Sequence, residues 1–498
     1  MQPHLWPFHG GLHLEGHKNL SNMMPIVQAK LPKFLVLPLL QHIGDPTEPV
    51  VQVGDKVLKG QVIAHSCASD CSLQMSAPIH ASSSGTVIAI EPRPIPHPSD
   101  LKITCIVIET DGEETWAERH VMPHYTKSSP KLILDHIAKS GIVGLGGAGF
   151  PSHIKLRPEG IDTLIINGAE CEPYITCDDR LMREYPNEII EGAHILKHVV
   201  GGAKHCIIAV EDNKPEAYQA LTAVIQGNIE IVKVPTCYPT GGERQLIQVL
   251  TGKEIRRSQL PATMGIIMHN IETTRAIYRA INEGRPLISR VVTVTGTGIE
   301  KPQNLEVLLG TPVSAVLDQC GRMTEIDRLI MGGTMMGVAL PHEEFPVIKT
   351  TNCLIAARSS EIQKRVPMPC IRCGACAQVC PIQLLPQQLY WYAKAKDFKK
   401  VQEYHIFECI DCGCCAYVCP SHLPLVDYYR YAKAEIRATE RERKRADQAK
   451  QRHEFRTFRL EREKSERLIR HRQASCNEED KKADIQTMLE QVKMKKIG

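Results

Sequence analysis

The chain has no apolar run approaching the roughly 20 residues that a membrane-spanning helix needs, and only 5% of its 498 residues are aromatic. Its best apolar stretch, Phe34 to Leu40, is short and contains Pro38, so it reads as a buried strand. The opening MQPHLWPFHGG has neither a basic n-region nor an apolar h-region, so no secretory signal is read there. Disulfide-like spacing is also missing: of 19 cysteines, eleven lie scattered. A reducing, cytoplasmic setting is expected. The net charge is a modest +4, and about seven net positive charges fall between Lys433 and Arg472, which leaves the remainder near neutral. No aromatic stacking platform or groove-reading unit accompanies that basic stretch, so no nucleic acid is expected as a partner. Nor does the chemistry call for a nucleophilic triad or paired catalytic carboxylates, and no catalytic side chain is assigned.

Eight cysteines are organised. They form Cys370-x2-Cys373-x2-Cys376-x3-Cys380-Pro381 and Cys409-x2-Cys412-x2-Cys415-x3-Cys419-Pro420. This spacing lets three thiolates curl around one cubane while the fourth, before proline, reaches the other. Cys370, Cys373, Cys376 and Cys419 would hold one 4Fe–4S cluster, and Cys409, Cys412, Cys415 and Cys380 a second. Gly374 and Gly413 stand where backbone must pass close to inorganic sulfide. Zinc sites use two separated ligand pairs, not two quartets of one spacing. Cys414 has the wrong spacing and reads as a bystander.

At this length three or four domains are expected. Residues 1–30, rich in His, Gly and Pro, read as an irregular lead-in whose His4, His9, His13 and His17 are solvated. From 31 to 115, short β-runs broken by turns predict a β-sandwich module. Val53-Gly54-Asp55-Lys56-Val57 and Ser84-Gly85-Thr86-Val87 resemble the hairpins of biotinyl/lipoyl-type domains. The modifiable lysine of such carriers is missing between Met75 and Gly85, which leaves a scaffold or docking module. From 120 to 285, β-runs alternate with helical ones, the mark of an α/β, Rossmann-like domain with a largely parallel sheet. Residues 286–355 resemble a β-grasp module of the soluble-ligand-binding type. Residues 360–432 predict an α-helical two-cluster ferredoxin domain, since the stretch between the quartets has helical periodicity. Residues 433–498 predict a charged helix with i,i+4 pairs Glu440/Lys444, Glu463/Arg467 and Glu466/Arg470. It is either a plain solvated helix or a contact to an anionic membrane surface or acidic partner. The fold class is thus multidomain α/β + β + α.

Four glycines within Gly144-Leu145-Gly146-Gly147-Ala148-Gly149 let backbone amides approach a phosphate or flat ring, and Lys155 follows with positive charge. The segment Gly144 to Lys155 resembles the GxGGAGFPxxxK loop of the flavin-bearing, NADH-oxidising subunit of respiratory complex I. Asn167 to Pro173 resembles that family's NADESEP, Tyr238 to Glu243 its YxxGEE, and His269 to Thr273 its NNVET. The resemblance implies FMN, with NADH stacked on it. It makes Gly144, Gly146, Gly147, Lys155, Asn167, Glu170, Gly241, Glu243 and Asn270 the flavin and nucleotide contacts. Glu170 and Glu172, alternating along a strand end, would face the flavin and the solvent respectively. Ala169, Cys171, Gly242 and His269 depart from the pattern, and the single-cluster motif that ends the complex I subunit is replaced by the two-cluster unit.

The arrangement as a whole resembles the RnfC family, a component of the Rnf (also Rsx) ion-translocating oxidoreductase complex. Phe8 to His13 and the block Gly168 to Met182 are also similar to it. Membership implies an oxidoreductase and translocase subunit, linked to NADH and peripheral on the cytoplasmic face of the bacterial inner membrane. Its partners would be integral and ferredoxin-like Rnf subunits. Three readings stay open: a redox subunit with FMN and NADH sites, an electron-transfer adaptor whose flavin site is lost, and a soluble subunit of another NADH-linked complex.

Overall fold

The computed structural model describes residues 4–66, 75–97, 101–256, 259–324, 326–358 and 366–495. The first three residues of the lead-in, the start of the two-cluster segment (360–365) and the last three of the tail lie outside the described residues. The chain divides into two compact units, one of residues 1–391 and 407–426, the other of 392–406 and 427–498.

At the centre of the first unit is a four-stranded parallel sheet. Its spatial order is Glu230–Val234, His205–Glu211, Thr163–Gly168, Ile266–Asn270. The strands are Ile- and Val-rich because both faces are covered by helices, one by Pro186–Val199 and Ile271–Glu283 and the other by Glu243–Thr251. The chain steps outward from Thr163–Gly168 and then returns to its other side with Ile266–Asn270. That reversal opens a crevice at the carboxyl ends of those two strands, the place where open α/β sheets bind ligands.

The sandwich module pairs a four-stranded antiparallel sheet (Phe34–Pro38, Lys102–Thr110, Gly85–Pro94, Lys56–Val57) with a three-stranded one (Glu48–Pro49, Val62–His65, Ile79–His80). Phe34–Pro38 is indeed a strand, with Leu35 and Leu37 fully buried. A mixed six-stranded sheet follows, in the order Val27–Gln28, Gln303–Leu308, Ser289–Thr295, Cys353–Ala357, Arg328–Met331, Val338–Leu340. The cysteine segment carries short helices, among them Ala375–Gln378, Pro386–Lys394 and Cys414–Tyr417.

The lead-in is not a free irregular segment. Val27–Gln28 adds a parallel strand to the mixed sheet. His9 Nδ1 donates to Cys380 O at 3.0 Å and His13 Nδ1 to Thr236 O at 3.1 Å, while His17 stacks on Tyr174, so these histidines are not merely solvated. A Cβ on Gly10, at φ 68°, would stand 2.6 Å from the Val379 backbone, so the segment lies flat against the cysteine region. Lys18 Nζ donates to three carbonyls, Glu170 O at 2.7 Å, Glu172 O at 2.8 Å and Ile175 O at 2.6 Å. Burial holds this ammonium below its ordinary range, opposed by the charge of Glu170.

The second unit contains the helix Phe398–Glu403 and most of the long helix Leu425–Met494, with Phe398 edge-on to Tyr431. Of the expected tail pairs Glu466–Arg470 is present at 4.0 Å, whereas Glu463 pairs backward with Arg459. Among the described residues no helix is long and apolar enough to cross a membrane.

Replacing Lys18 by Met removes the donor to three carbonyls and one countercharge of Glu170. The expected cost is about 3 kcal/mol, read as a lowered denaturation midpoint, with Lys18→Arg restoring part of it.

Candidate redox site

The crevice is a cavity of about 700 Å3, within the roughly 300–1,000 Å3 typical of small-molecule sites. All nine residues named from the motifs line it. The glycine loop enters because Leu145 N donates to Thr273 Oγ1 at 2.9 Å and Gly149 N to Gly144 O at 3.0 Å, which closes a tight turn. Gly147, at φ 103°, has nothing within 4 Å of where a Cβ would stand.

Several of these side chains are already bonded within the protein. Asn167 Nδ2 donates to Gly241 O at 2.9 Å, which ties the strand end to the 238–243 turn. Asn270 Oδ1 caps the helix Ile271–Glu283 through Glu272 N at 2.9 Å, and its Nδ2 donates to Asp178 Oδ2 at 2.7 Å. Lys155 and Glu243 form an ion pair at 2.6 Å. Glu170, 7% exposed, accepts from Asp178 N at 2.8 Å and pairs with Lys214 at 3.3 Å. The alternating-strand expectation for Glu170 and Glu172 fails because the strand ends at Gly168. Glu172 is not turned to solvent: its Oε1 accepts from Met335 N at 2.6 Å and Met336 N at 3.0 Å.

Two buried polar atoms on the cavity wall have no hydrogen-bond partner, Ser152 Oγ and His269 Nε2. Burial, with the Lys155 charge, lowers the His269 imidazole to about 3, so it is neutral. An open glycine cradle, two unsatisfied polar atoms and apolar Met268 and Val338 suit a flat polar ligand such as a flavin. Asp178, absent from the motif-based set, also lines the cavity. Burial and the charges of Glu170 and Glu272 push its carboxyl up to about 8. The DDR triplet at Asp178 to Arg180 was visible in the sequence but carried no such signal, and nothing local marked Lys18.

The cysteines fall into two groups. Burial raises the Cys376 thiol, and the nearby Cys373, Cys419 and Cys370 raise it further. Burial likewise raises Cys415, whose neighbours are first Cys409, Cys412 and Cys380. The two quartets repeat one backbone path, with Arg372 and Asp411 at φ 57° and 55°, Gly374 and Gly413 both at 81°, and Gln383 and His422 at 53° and 50°. Eight soft thiols, four by four, are a donor set suited to iron–sulfur clusters. Cys414 is fully buried, and its thiol hydrogen-bonds Cys412, which holds the Cys412 thiol below its ordinary range. Cys380, Cys412 and Cys415 are buried whereas Cys373 is exposed. The buried group adjoins the cavity: Ile410 lines it, and Tyr238, also on its wall, donates through its hydroxyl to Cys412 O at 2.6 Å.

Family models match in chain order. They are an RnfC barrel sandwich hybrid domain over residues 6–113, a Nuo51 FMN-binding domain over 137–279, an SLBB domain over 291–339 and a 4Fe-4S dicluster domain over 369–423. The RnfC component of the ion-translocating oxidoreductase complex of Vibrio cholerae serotype O1 is 48% identical over 97% of this chain and 62% of its own length. That of Pectobacterium atrosepticum is 45% identical over 99% of this chain and 71% of its own. The chain therefore spans about three fifths of the Vibrio relative. Among solved structures, an NAD+-reducing NiFe hydrogenase in the H2-reduced state aligns over 64% of this chain and 67% of its own, at 18% identity and TM-score 0.46. On the shared domain order and this full-chain similarity, the chain belongs to the RnfC family of ion-translocating oxidoreductase complex subunits.

Proposed function

We propose that this chain is the peripheral electron-transfer subunit of a membrane-bound complex that couples electron flow to ion translocation. FMN in the cavity exchanges electrons with NADH, and two 4Fe–4S clusters link it to membrane partners. One observation carries the reading: the cavity wall and the buried cysteine group share residues, through Ile410 and the Tyr238–Cys412 hydrogen bond. A bound flavin supplies the conversion between two-electron hydride chemistry and one-electron transfer. The chain's own residues do the positioning. Glycine-loop backbone forms the cradle, neutral His269 and Ser152 offer the free polar atoms, and Lys155 sits at the rim beside Glu243. Cys409, Cys412, Cys415 and Cys380 would hold the cluster next to the cavity. Cys370, Cys373, Cys376 and Cys419 would hold the outer one, nearest the membrane partners. The protein would work at the cytoplasmic face of the inner membrane, with its basic helix as an electrostatic contact to anionic lipid or an acidic subunit.

The adaptor reading, with working clusters and no flavin, is favoured by the internal bonding of Asn167, Asn270 and Glu170. The flavin-to-iron ratio of the anaerobically purified chain, with its NADH–ferricyanide reductase activity, separates the two. One FMN per roughly eight irons with activity supports the redox subunit; iron without flavin supports the adaptor.

Three variants refine the reading. Gly147→Val puts a side chain into the cradle and strains a positive φ. It should abolish flavin retention and NADH-dependent bleaching while dithionite-reducible iron–sulfur absorbance persists. Cys414→Ala should keep roughly eight irons but shift one cluster to a more negative potential in an electrochemical titration, because a hydrogen bond to a ligand sulfur is lost. A loss of half the iron would instead make Cys414 a ligand. For Asp178 the native carboxyl holds its proton up to about pH 8, whereas the unfolded one releases it near 4. Stability therefore falls as pH rises between those values. Asp178→Asn should gain in urea midpoint relative to the parent at pH 8, and the gain should shrink by about pH 5.

A further inference from the structure

A second cavity, of about 240 Å3, lies behind the glycine loop and has no part in the redox reading. Lys59 comes to it from the sandwich module, Trp116 from the segment that follows that module, Arg275 and Arg279 from the helix Ile271–Glu283, and Arg290 and Glu306 from the mixed sheet. Lys59, Arg275, Arg279, Arg285 and Arg290 line it against two carboxylates, Glu272 and Glu306. Arg290 pairs with Glu272 at 2.7 Å and Arg279 with Glu306 at 2.6 Å. Outside the lining, Glu188 takes Arg275 Nε at 2.8 Å, Glu283 takes Arg285 at 3.0 Å, and Glu114 takes Lys59.

Those pairs leave three guanidinium donors without a hydrogen bond, Arg285 Nε beside Glu283 among them. Arg275 Nη2 and Arg290 Nε have no hydrogen-bond partner, on side chains whose residues are 3% and 2% exposed. Glu306 Oε2 lies 4.0 Å from Arg275 Nη2, beyond hydrogen-bond reach. Buried donors are almost always satisfied, and guanidinium groups favour planar oxyanions. At the rim the Trp116 ring is flanked by Lys59, Arg119 and Arg285 at 5.3, 5.4 and 5.8 Å from its centroid, a cationic entrance. Leu287 and Leu308 supply apolar wall. The volume falls below the roughly 300–1,000 Å3 of drug-sized pockets, which excludes a flavin or dinucleotide.

We propose that this cavity binds a small organic oxyanion, its carboxylate or phosphate held by Arg275 and Arg290 and its body against Leu287 and Leu308. The occupant would touch the back of the flavin loop: Arg290 Nη2 donates to Leu145 O at 3.2 Å, and Leu145 itself lines the cavity.

The chain has three tryptophans, so the full-length protein with Trp6→Phe and Trp391→Phe reports from Trp116 alone. Citrate and glycerol 3-phosphate are titrated separately at an ionic strength held constant with chloride. A saturable emission change is expected for at least one, and the tighter of the two tells carboxylate from phosphate. Arg275→Gln should weaken that anion at least tenfold. If this variant does not fold, Lys59→Gln combined with Arg285→Gln at the entrance should weaken binding several-fold, more at low salt than at high. The same anion should slow amide exchange across residues 144–150. A response that never saturates, that chloride reproduces, that survives the arginine variants, or that leaves the loop's exchange unchanged overturns the proposal and leaves Arg275 Nη2 and Arg290 Nε to water.

Discussion

The carbonyls of Glu170, Glu172 and Ile175 converge on one ammonium, that of Lys18, and the rest of the site depends on that convergence. The loop they belong to leaves the carboxyl end of a parallel strand, where carbonyls have no ladder partner. Folded back on Lys18, it turns the Glu170 carboxylate inward to Lys214 and the Asp178 amide, and Glu172 toward the Met335 and Met336 amides. One loop thus ties the lead-in, the parallel sheet and the mixed sheet around a single cavity. A carboxylate is the suitable link on each side because it accepts several N–H bonds at once.

The same lead-in reaches the cysteine region. Gly11 N donates to Val379 O and Leu12 exchanges hydrogen bonds with Tyr238, whose hydroxyl ends on Cys412 O. Leu12, Leu14, Met335, Val379 and Ile410 pack around Tyr238, Cys412 and Cys414. Tyr238, Cys412 and Cys414 are buried at this junction, whereas Cys373 of the other group is exposed. Two quartets of nearly identical backbone conformation therefore occupy unlike surroundings. In iron–sulfur chemistry, burial and hydrogen bonds to sulfur set the potential. The repeat makes two similar sets of thiol donors, and the packing gives them unlike surroundings.

What the sequence disclosed follows the range of the interactions. The cysteine quartets, the glycine loop and the alternation of the parallel sheet are local signals, carried by spacing and periodicity within short segments. The motif residues reach one cavity because strand order brings Asn167 and Asn270 side by side as paired register partners. Their bonding was not legible: Asn167 to Gly241 and Asn270 to Asp178 span 74 and 92 residues. Lys18 lies 152 residues from Glu170, and no periodicity marks it. The edge strand Val27–Gln28 is two residues long, too short for a pattern, and takes its conformation from Leu305 and Glu306. Glu172 departs from period-two alternation for a nearer reason: the strand ends at Gly168, four residues before it.

The four departures from the flavin motif each have a structural occupant. Ala169 packs with Ile165, Leu246 and Met268 beneath the cavity. The Cys171 sulfur accepts from Gly241 N at 3.3 Å and so holds the turn that a serine oxygen would otherwise hold. Gly242 precedes the helix Glu243–Thr251, and a Cβ there would stand 2.6 Å from Gln245 Oε1. His269, buried and neutral, leaves one ring nitrogen unbonded on the wall. Two acidic positions of the motif have become uncharged, at Ala169 and Gly242, and two neutral ones stay neutral, at Cys171 and His269, while the backbone cradle is kept. Less negative charge on the wall reduces repulsion of a phosphate or a reduced, anionic ring, and fewer directed hydrogen bonds relax selection among ligands of similar shape. The cavity is thereby tuned through its charge more than through its form.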